Sequence, residues 1–254
     1  MAKQLKQWDG GRLQLFVLYD RASRYDSPKV RAAKSKASSE AQKRINQKNA
    51  LRIVEMRLGK NFPTAGSGRV YTLTYDDAHL PRTRKEAELR LKYFRQRLTA
   101  WRVMTGQDMV MIWCTEHKHG DGRWHHHAVI NSTGEDYEAI RQLWIYGSDV
   151  DIKPLRVDKE KDYATLARYM CKEEGDRLGQ RRWSYTRNAS KPEVETFRVE
   201  DDTTVQLPKG ARELQIFGDR NAYGSCRVIK YLAPGWDRAR RPRARRRGSR
   251  RKKR

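Results

Sequence analysis

The chain has 254 residues, 56 of them Lys or Arg and 31 Asp or Glu, for a formal charge of +25 and a pI near 10.3. That charge selects polyanions as partners, while a mean hydropathy of −1.00 with 37% hydrophobic residues leaves material for one compact domain with polar extensions. No apolar run has the length a bilayer needs, no signal-peptide core is present, and Cys114, Cys171 and Cys226 form neither a disulfide framework nor a zinc pattern, so a soluble protein of a reducing cytoplasm is expected.

In chain order, Leu13 to Tyr19 is a short apolar run that reads as a strand without an assigned role. Residues 21–60 carry twelve basic side chains against three acidic ones. Their second half predicts a helix, with Ser39 and Gln42 as a capping box and with Leu51, Val54 and Leu58 on one face. Lys48, Arg52 and Arg57 lie elsewhere on it, as a DNA-backbone contact or simply as a solvated charged face. Asn61 to Gly68, with Pro63 and two glycines, is a loop. Val70 to Tyr75 alternates and is β-branched and aromatic, which predicts a strand. Pro81 and the capping box from Thr83 to Glu86 open a long helix with a core stripe of Ala87, Leu91, Phe94, Leu98 and Trp101, ended by Gly106. Met109–Cys114 and Ala128–Ile130 are apolar strands joined through a Gly/Asp loop, a β-hairpin. A second helix opened by Ser132 to Glu135 carries Tyr137, Ile140 and Trp144, and Val150 to Val157 is a further strand. Strand, helix, two strands, helix, strand is the ferredoxin-like pattern, an α+β fold with an antiparallel sheet and helices on one face, the other left open to a ligand. Because RNA-recognition modules share it, a non-catalytic RNA- or DNA-binding protein stays open.

Arg123-Trp124-His125-His126-His127 stands at the start of the second hairpin strand. Side chains alternate along an extended chain, so His125 and His127 share one face and His126 takes the other. Antiparallel pairing brings the Glu116 carboxylate beside the first two. Two imidazoles and one carboxylate fit a catalytic divalent ion, a structural zinc lacking a fourth ligand, a facial triad for iron, or ordinary hydrogen-bonded histidines. Further on, Tyr163, Leu166, Ala167 and Met170 form the buried stripe of a short helix, with Tyr169 on its flank and Lys172 three residues later. Arg177, Arg181, Arg182 and Arg187 surround Trp183 and Tyr185, a composition suited to single-stranded nucleic acid, since bases stack on rings while guanidinium groups take phosphates. Residues 193–206 and 212–232 contain strand-like pieces with no assignable role. From Arg238 onward twelve of seventeen residues are basic, a composition shared by disordered DNA-binding tails and by nuclear localisation signals.

GRWHHHAVI at 122–130, with YTLTYDD upstream at 71–77 and ARYMCKEE downstream at 167–174, resembles motifs two, one and three of the HUH endonucleases. Within them it is most similar to the rolling-circle replication initiators of small plasmids and single-stranded DNA phages. Order and spacing agree over roughly residues 40–192, NFP near 62 and SYTRNASKP near 188 included. The departure is His126, where the family usually has a hydrophobic residue. The resemblance implies an HUH fold over residues 63–175, flanked by a basic, partly helical extension (1–62), a basic loop with short strands (176–237) and a disordered tail (238–254). It implies Mg2+ or Mn2+ held by His125, His127 and Glu116, and a Tyr-x-x-Lys motif with Tyr169 as nucleophile and Lys172 as added positive charge. It further implies a DNA groove lined by Thr72 and Thr74, with Arg123, Arg168, Arg182 and Arg187 as DNA contacts. Attack by Tyr169 on origin DNA would leave a 5′-phosphotyrosine and a free 3′-hydroxyl, and the covalent bond would conserve the energy for rejoining. No phosphate-binding loop is present, so unwinding falls to a host helicase and extension to a polymerase, in a bacterial cytoplasm. A relaxase or single-tyrosine transposase would use the same site, and a dimer is compatible with a single nucleophile.

Overall fold

A computed structural model describes residues 3–20, 40–64, 66–117, 122–131, 136–158, 162–171, 182–221 and 224–235, with backbone alone at 40–45, 219–221 and 224. The strands are β1 (Lys3–Gly10), β2 (Leu13–Asp20), β3 (Gly68–Thr74), β4 (Met111–His117), β5 (Trp124–Asn131), β6 (Val150–Pro154), β7 (Trp183–Tyr185), β8 (Glu193–Val199), β9 (Arg212–Asn221) and β10 (Gly224–Leu232). The helices are α1 (Glu40–Asn61), α2 (Arg84–Met104), α3 (Tyr137–Leu143) and α4 (Ala164–Met170). Two antiparallel sheets result, one ordered β6-β3-β5-β4-β7 and the other β8-β1-β2-β10-β9.

The first sheet has the ferredoxin-like order, extended by β7 along β4. Helix α2 starts where expected: the Thr83 hydroxyl accepts from the Glu86 N–H at 3.2 Å, and the Glu86 carboxylate accepts from the Arg82 N–H at 2.9 Å. Its buried stripe is Ala87, Leu91, Phe94, Leu98 and, in place of the expected Trp101, Arg102. Arg102 is buried because its donors reach the Asp108 carbonyl, the Asn131 carbonyl and side chain, and the Asp136 carboxylate, a set that ties the helix end to β5 and to the start of α3. Gly106, with φ of 68°, makes the left-handed turn after the helix. With Ile140 and Trp144, the α2 stripe packs on Tyr71, Leu73, Met111, Trp113, Ala128 and Ile130, all on one sheet face. Tyr137, expected in that stripe, is exposed. The capping boxes at Ser39/Gln42 and Ser132/Glu135 lie outside the described side chains.

The opposite face is covered over part of its length by α1 and α4. Val54, Leu58 and Phe62 of the α1 segment and Tyr163, Ala167, Met170 and Cys171 around α4 pack on Ile112, Cys114 and Val129. Helix α1 is not the one-sided amphipathic helix expected: residues 54–59 are buried without interruption, because Met56 packs on Leu13, Leu15, Val17, Val228 and Leu232 of the second sheet. The helix is a wedge between two sheets. Its basic side chains are used accordingly, Arg57 being buried over the Tyr185 ring at 3.6 Å and Arg52 lying over Phe217 at 5.3 Å, which leaves only Lys48 of the three solvated. Where α1 crosses the β1–β2 turn, a Cβ on Gly59 would sit 2.7 Å from the Gly10 carbonyl oxygen, so only glycine permits the contact.

The second sheet was not foreseen as a unit. Leu13 to Tyr19 is its central strand, paired on one side with β1 and on the other with β10. On its far face Phe16, Ile229 and Tyr231 pack with Val205, Leu207 and Ala211. Lys230 points the other way, into a buried cluster with Glu55 of α1 at 3.0 Å and with Asp162, just ahead of α4.

Candidate metal centre and nucleophile

The antiparallel register of β4 and β5 sets Glu116 opposite His125 and Cys114 opposite His127, and β3 sets Thr72 opposite His127 and Thr74 opposite His125. Residues directly opposite project from the same face, so Glu116, His125, His127, Thr72 and Thr74 all stand on the face that α1 and α4 leave uncovered at this end. His126 points into the α2 side. It is fully buried, its Nε2 2.7 Å from the Tyr75 hydroxyl and its Nδ1 2.9 Å from the Thr115 hydroxyl. Burial drives its pKa down to about 3, with the neighbouring histidines adding to the effect. The ring is a neutral hydrogen-bonding core residue and takes no part in the cluster.

One donor atom from each of Glu116, His125 and His127 lies within 4.8 Å of the others. One Glu116 oxygen is 3.3 Å from His125 Nε2 and 3.2 Å from His127 Nε2. His125 Nδ1 faces the Arg123 carbonyl at 3.4 Å, and since a carbonyl only accepts, that nitrogen carries the hydrogen. In the neutral ring Nε2 then presents a lone pair to the carboxylate. His127 Nδ1 is held by the Thr72 hydroxyl at 3.2 Å, and burial first, then His125, pushes its pKa down to about 4, so it too is neutral near pH 7. Lone pairs facing a carboxylate at this range repel one another unless a cation lies among them. The donor set fits a divalent ion, with outer hydrogen bonds already fixing the ring orientations.

Tyr169, on the exposed side of α4, places its hydroxyl 2.7 Å from His127 Nε2, with ring centroids 4.7 Å apart. Tyr163 is different. It lies just before the helix, buried, with its hydroxyl donating to the Phe62 carbonyl at 2.6 Å. Burial pushes its pKa up to about 12. The phase of a short helix thus separates a packing tyrosine from one aimed at the cluster.

The other predicted residues divide. Thr74 donates to the Asp149 carbonyl at 2.6 Å, on the same face as the cluster. Arg123 is engaged with Asp77 at 2.6 Å and with the Tyr75 carbonyl at 2.7 Å, so it braces the strand end that presents His125. Arg168 is exposed beside Tyr169, and Arg182 donates to the Cys171 carbonyl at 3.3 Å. Arg187 is not brought to the cluster: it follows β7 beyond Tyr185, which pairs with Ile112, toward the other end of β4. Lys172, Arg177, Arg181 and the tail from Arg238 lie outside the described residues. Two contributors were missed, the Tyr75 and Thr115 hydroxyls that hold His126. The signal was available: strand alternation puts His126 inward, and a buried imidazole needs partners for both nitrogens.

The sheet order and the His/Glu cluster together define a domain of the HUH type. Residues 68–174 match the family model for the Replication-associated protein ORF2 family, a match consistent with a rolling-circle replication initiator. The matched segment runs from β3 through α4 and contains the whole cluster and Tyr169. No curated protein and no solved structure gives a match to the chain.

Proposed function

We propose that this protein initiates replication by nicking single-stranded origin DNA, with Tyr169 as nucleophile and a divalent ion, Mg2+ or Mn2+, held by Glu116, His125 and His127. The observation that carries the proposal is the 2.7 Å contact between the Tyr169 hydroxyl and His127 Nε2, which holds a tyrosine oxygen at the cluster where a phosphate would be polarised. When bound, the ion would withdraw charge from a non-bridging oxygen of the scissile phosphate and stabilise the charge of the transition state. The chain supplies the rest. Thr72 and the Arg123 carbonyl orient the two imidazoles, and Tyr75 and Thr115 fix the strand that carries them. Helix α4 delivers the phenol, whose ordinary pKa near 10 makes it a weak nucleophile unless the phosphate is strongly electrophilic.

In the step itself the Tyr169 oxygen bonds to phosphorus, the phosphorus bond to the 3′ oxygen breaks, and that oxygen leaves with a proton as a 3′-hydroxyl. The phenolic proton passes to solvent or to a neighbouring base. The resulting 5′-phosphotyrosine keeps the bond energy, so reversal rejoins strands without a nucleotide. Among the described residues no helix is long and apolar enough to cross a membrane. The test uses single-stranded DNA bearing a 3′ label, incubated with protein and Mn2+ and resolved by denaturing electrophoresis. A labelled protein band that vanishes with a chelator is expected, and its absence across a library of single-stranded sequences sinks the nicking reading.

A further inference from the structure

Beyond the cluster, on the same sheet face, a groove runs between α1 and β7. One wall is apolar, Ala50 and Ile53; the other is aromatic, Trp183 and Tyr185, with ring centroids 5.5 Å apart. Two guanidinium groups, Arg57 and Arg182, also line it. Arg57 is 4% exposed, lies 3.6 Å over the Tyr185 ring and 5.8 Å from that of Trp183, and donates through one terminal nitrogen to the Ala189 carbonyl at 3.1 Å, yet its Nε has no hydrogen-bond partner. A buried cationic donor left unsatisfied beside a partly exposed aromatic pair is costly for folding alone and is suited to a ligand carrying both a flat ring and an acceptor.

The position of the groove narrows the ligand. Trp183 pairs with Cys114, which pairs with His127, so Trp183 stands in the same row as the cluster, two strand spacings or about 10 Å away. From this we infer that Trp183, with Tyr185, Arg57 and Arg182, forms a stacking subsite for one base of single-stranded DNA close to the phosphate held at the cluster. The base lies against the Trp183 ring, an acceptor on it or on its phosphate meets Arg57, and Arg182 contributes positive charge at the rim. The subsite rests on the nicking reading for the identity of its ligand, but binding at it requires neither metal nor cleavage.

The experiment is therefore run in chelator. Full-length protein is photocrosslinked to a thymidine oligonucleotide carrying 5-iododeoxyuridine, the adducts are mapped by mass spectrometry, and oligonucleotide Kd is measured for Trp183→Ala and Trp183→Phe at elevated salt, which suppresses purely electrostatic binding. Crosslinks at Trp183 or Tyr185, with affinity about 5- to 150-fold weaker for Trp183→Ala and largely kept by Trp183→Phe, are expected. Crosslinks confined to other residues, or a Trp183→Ala protein of unchanged Kd, overturn the subsite. Should Trp183→Ala fail to fold, the crosslink map and Trp183→Phe decide it. Intact crosslinking in a protein that never forms a covalent adduct with Mn2+ would sink the reaction and leave the subsite standing.

Discussion

Three adjacent histidines have two different jobs, and each has its own expected phenotype. His125→Ala and His127→Ala remove a ligand from a partly exposed cluster, so loss of Mn2+ binding in calorimetry and loss of adduct are expected, with a small change in Tm. His126→Ala strands the Tyr75 and Thr115 hydroxyls in the core, at about 1–3 kcal/mol each, and leaves a cavity besides. A Tm fall on the order of 10 °C is expected, with metal affinity retained by the fraction still folded. Equal loss of Mn2+ affinity in folded His126→Ala protein would show that the strand register assigned to the site is wrong. The same residues predict a pH dependence. The folded-state pKa values of His126 and His127, about 3 and about 4, are depressed below the ordinary value near 6.5, so the unfolded chain takes up protons first as pH falls. Stability is fully present above about pH 6.5 and declines toward pH 4, with a slope of up to about 1.4 kcal/mol per pH unit for each ring. Urea titrations of metal-free protein from pH 7 to 4 should show it, and His126→Gln should flatten the slope.

At the scale of elements, α4 matters most, because it is only seven residues long and carries the nucleophile. It cannot hold its phase alone. Tyr163 anchors one end through Phe62, and Lys230 anchors the preceding turn through Asp162 while also pairing with Glu55 of α1. Burial raises the Glu55 carboxyl to about 7 against the pull of Lys230, whereas Lys230 pairing holds Asp162 below its usual range despite burial. Lys230→Met should therefore cost about 3–5 kcal/mol by leaving buried carboxylates uncompensated. Glu55→Gln should cost much less, because its carboxyl is readily neutral. Chemical denaturation of both variants checks the order, and equal costs would contradict it. Much of this element level was legible in the sequence: the Thr83 cap, the hairpin with its facing Glu116 and His125, and the separation of Tyr163 from Tyr169 all follow from local periodicity. Arg102 was not, because its burial depends on carbonyls and carboxylates from β5 and the α3 start. Nor was the wedge role of α1, since a helix buried on two sides against two sheets has no polar face for periodicity to find.

At the scale of the molecule, residues 3–20 and 193–232 join in one sheet across nearly the whole chain length, a pairing no local pattern encodes. Their strands could be seen singly, and Leu13 to Tyr19 was; their partnership could not. The consequence is that the domain carrying the cluster is braced from behind by α1 and, through Lys230, by the second sheet. Charge also acts at this scale. Deleting Arg238 to Arg254 removes twelve of the 56 basic residues, so binding to all DNA should weaken and its salt dependence flatten, while cleavage of a short single-stranded origin oligonucleotide should persist. An unchanged salt slope would assign the tail another role.

The central claim is that one tyrosine, aimed at a His/Glu cluster by a seven-residue helix, becomes covalently joined to DNA. Peptide mapping of the DNA-linked protein by mass spectrometry addresses it directly. The account predicts a nucleotide-bearing peptide modified at Tyr169, absent from Tyr169→Phe protein and present in Tyr163→Phe protein. An adduct on Tyr163, or one that survives Tyr169→Phe, would contradict it.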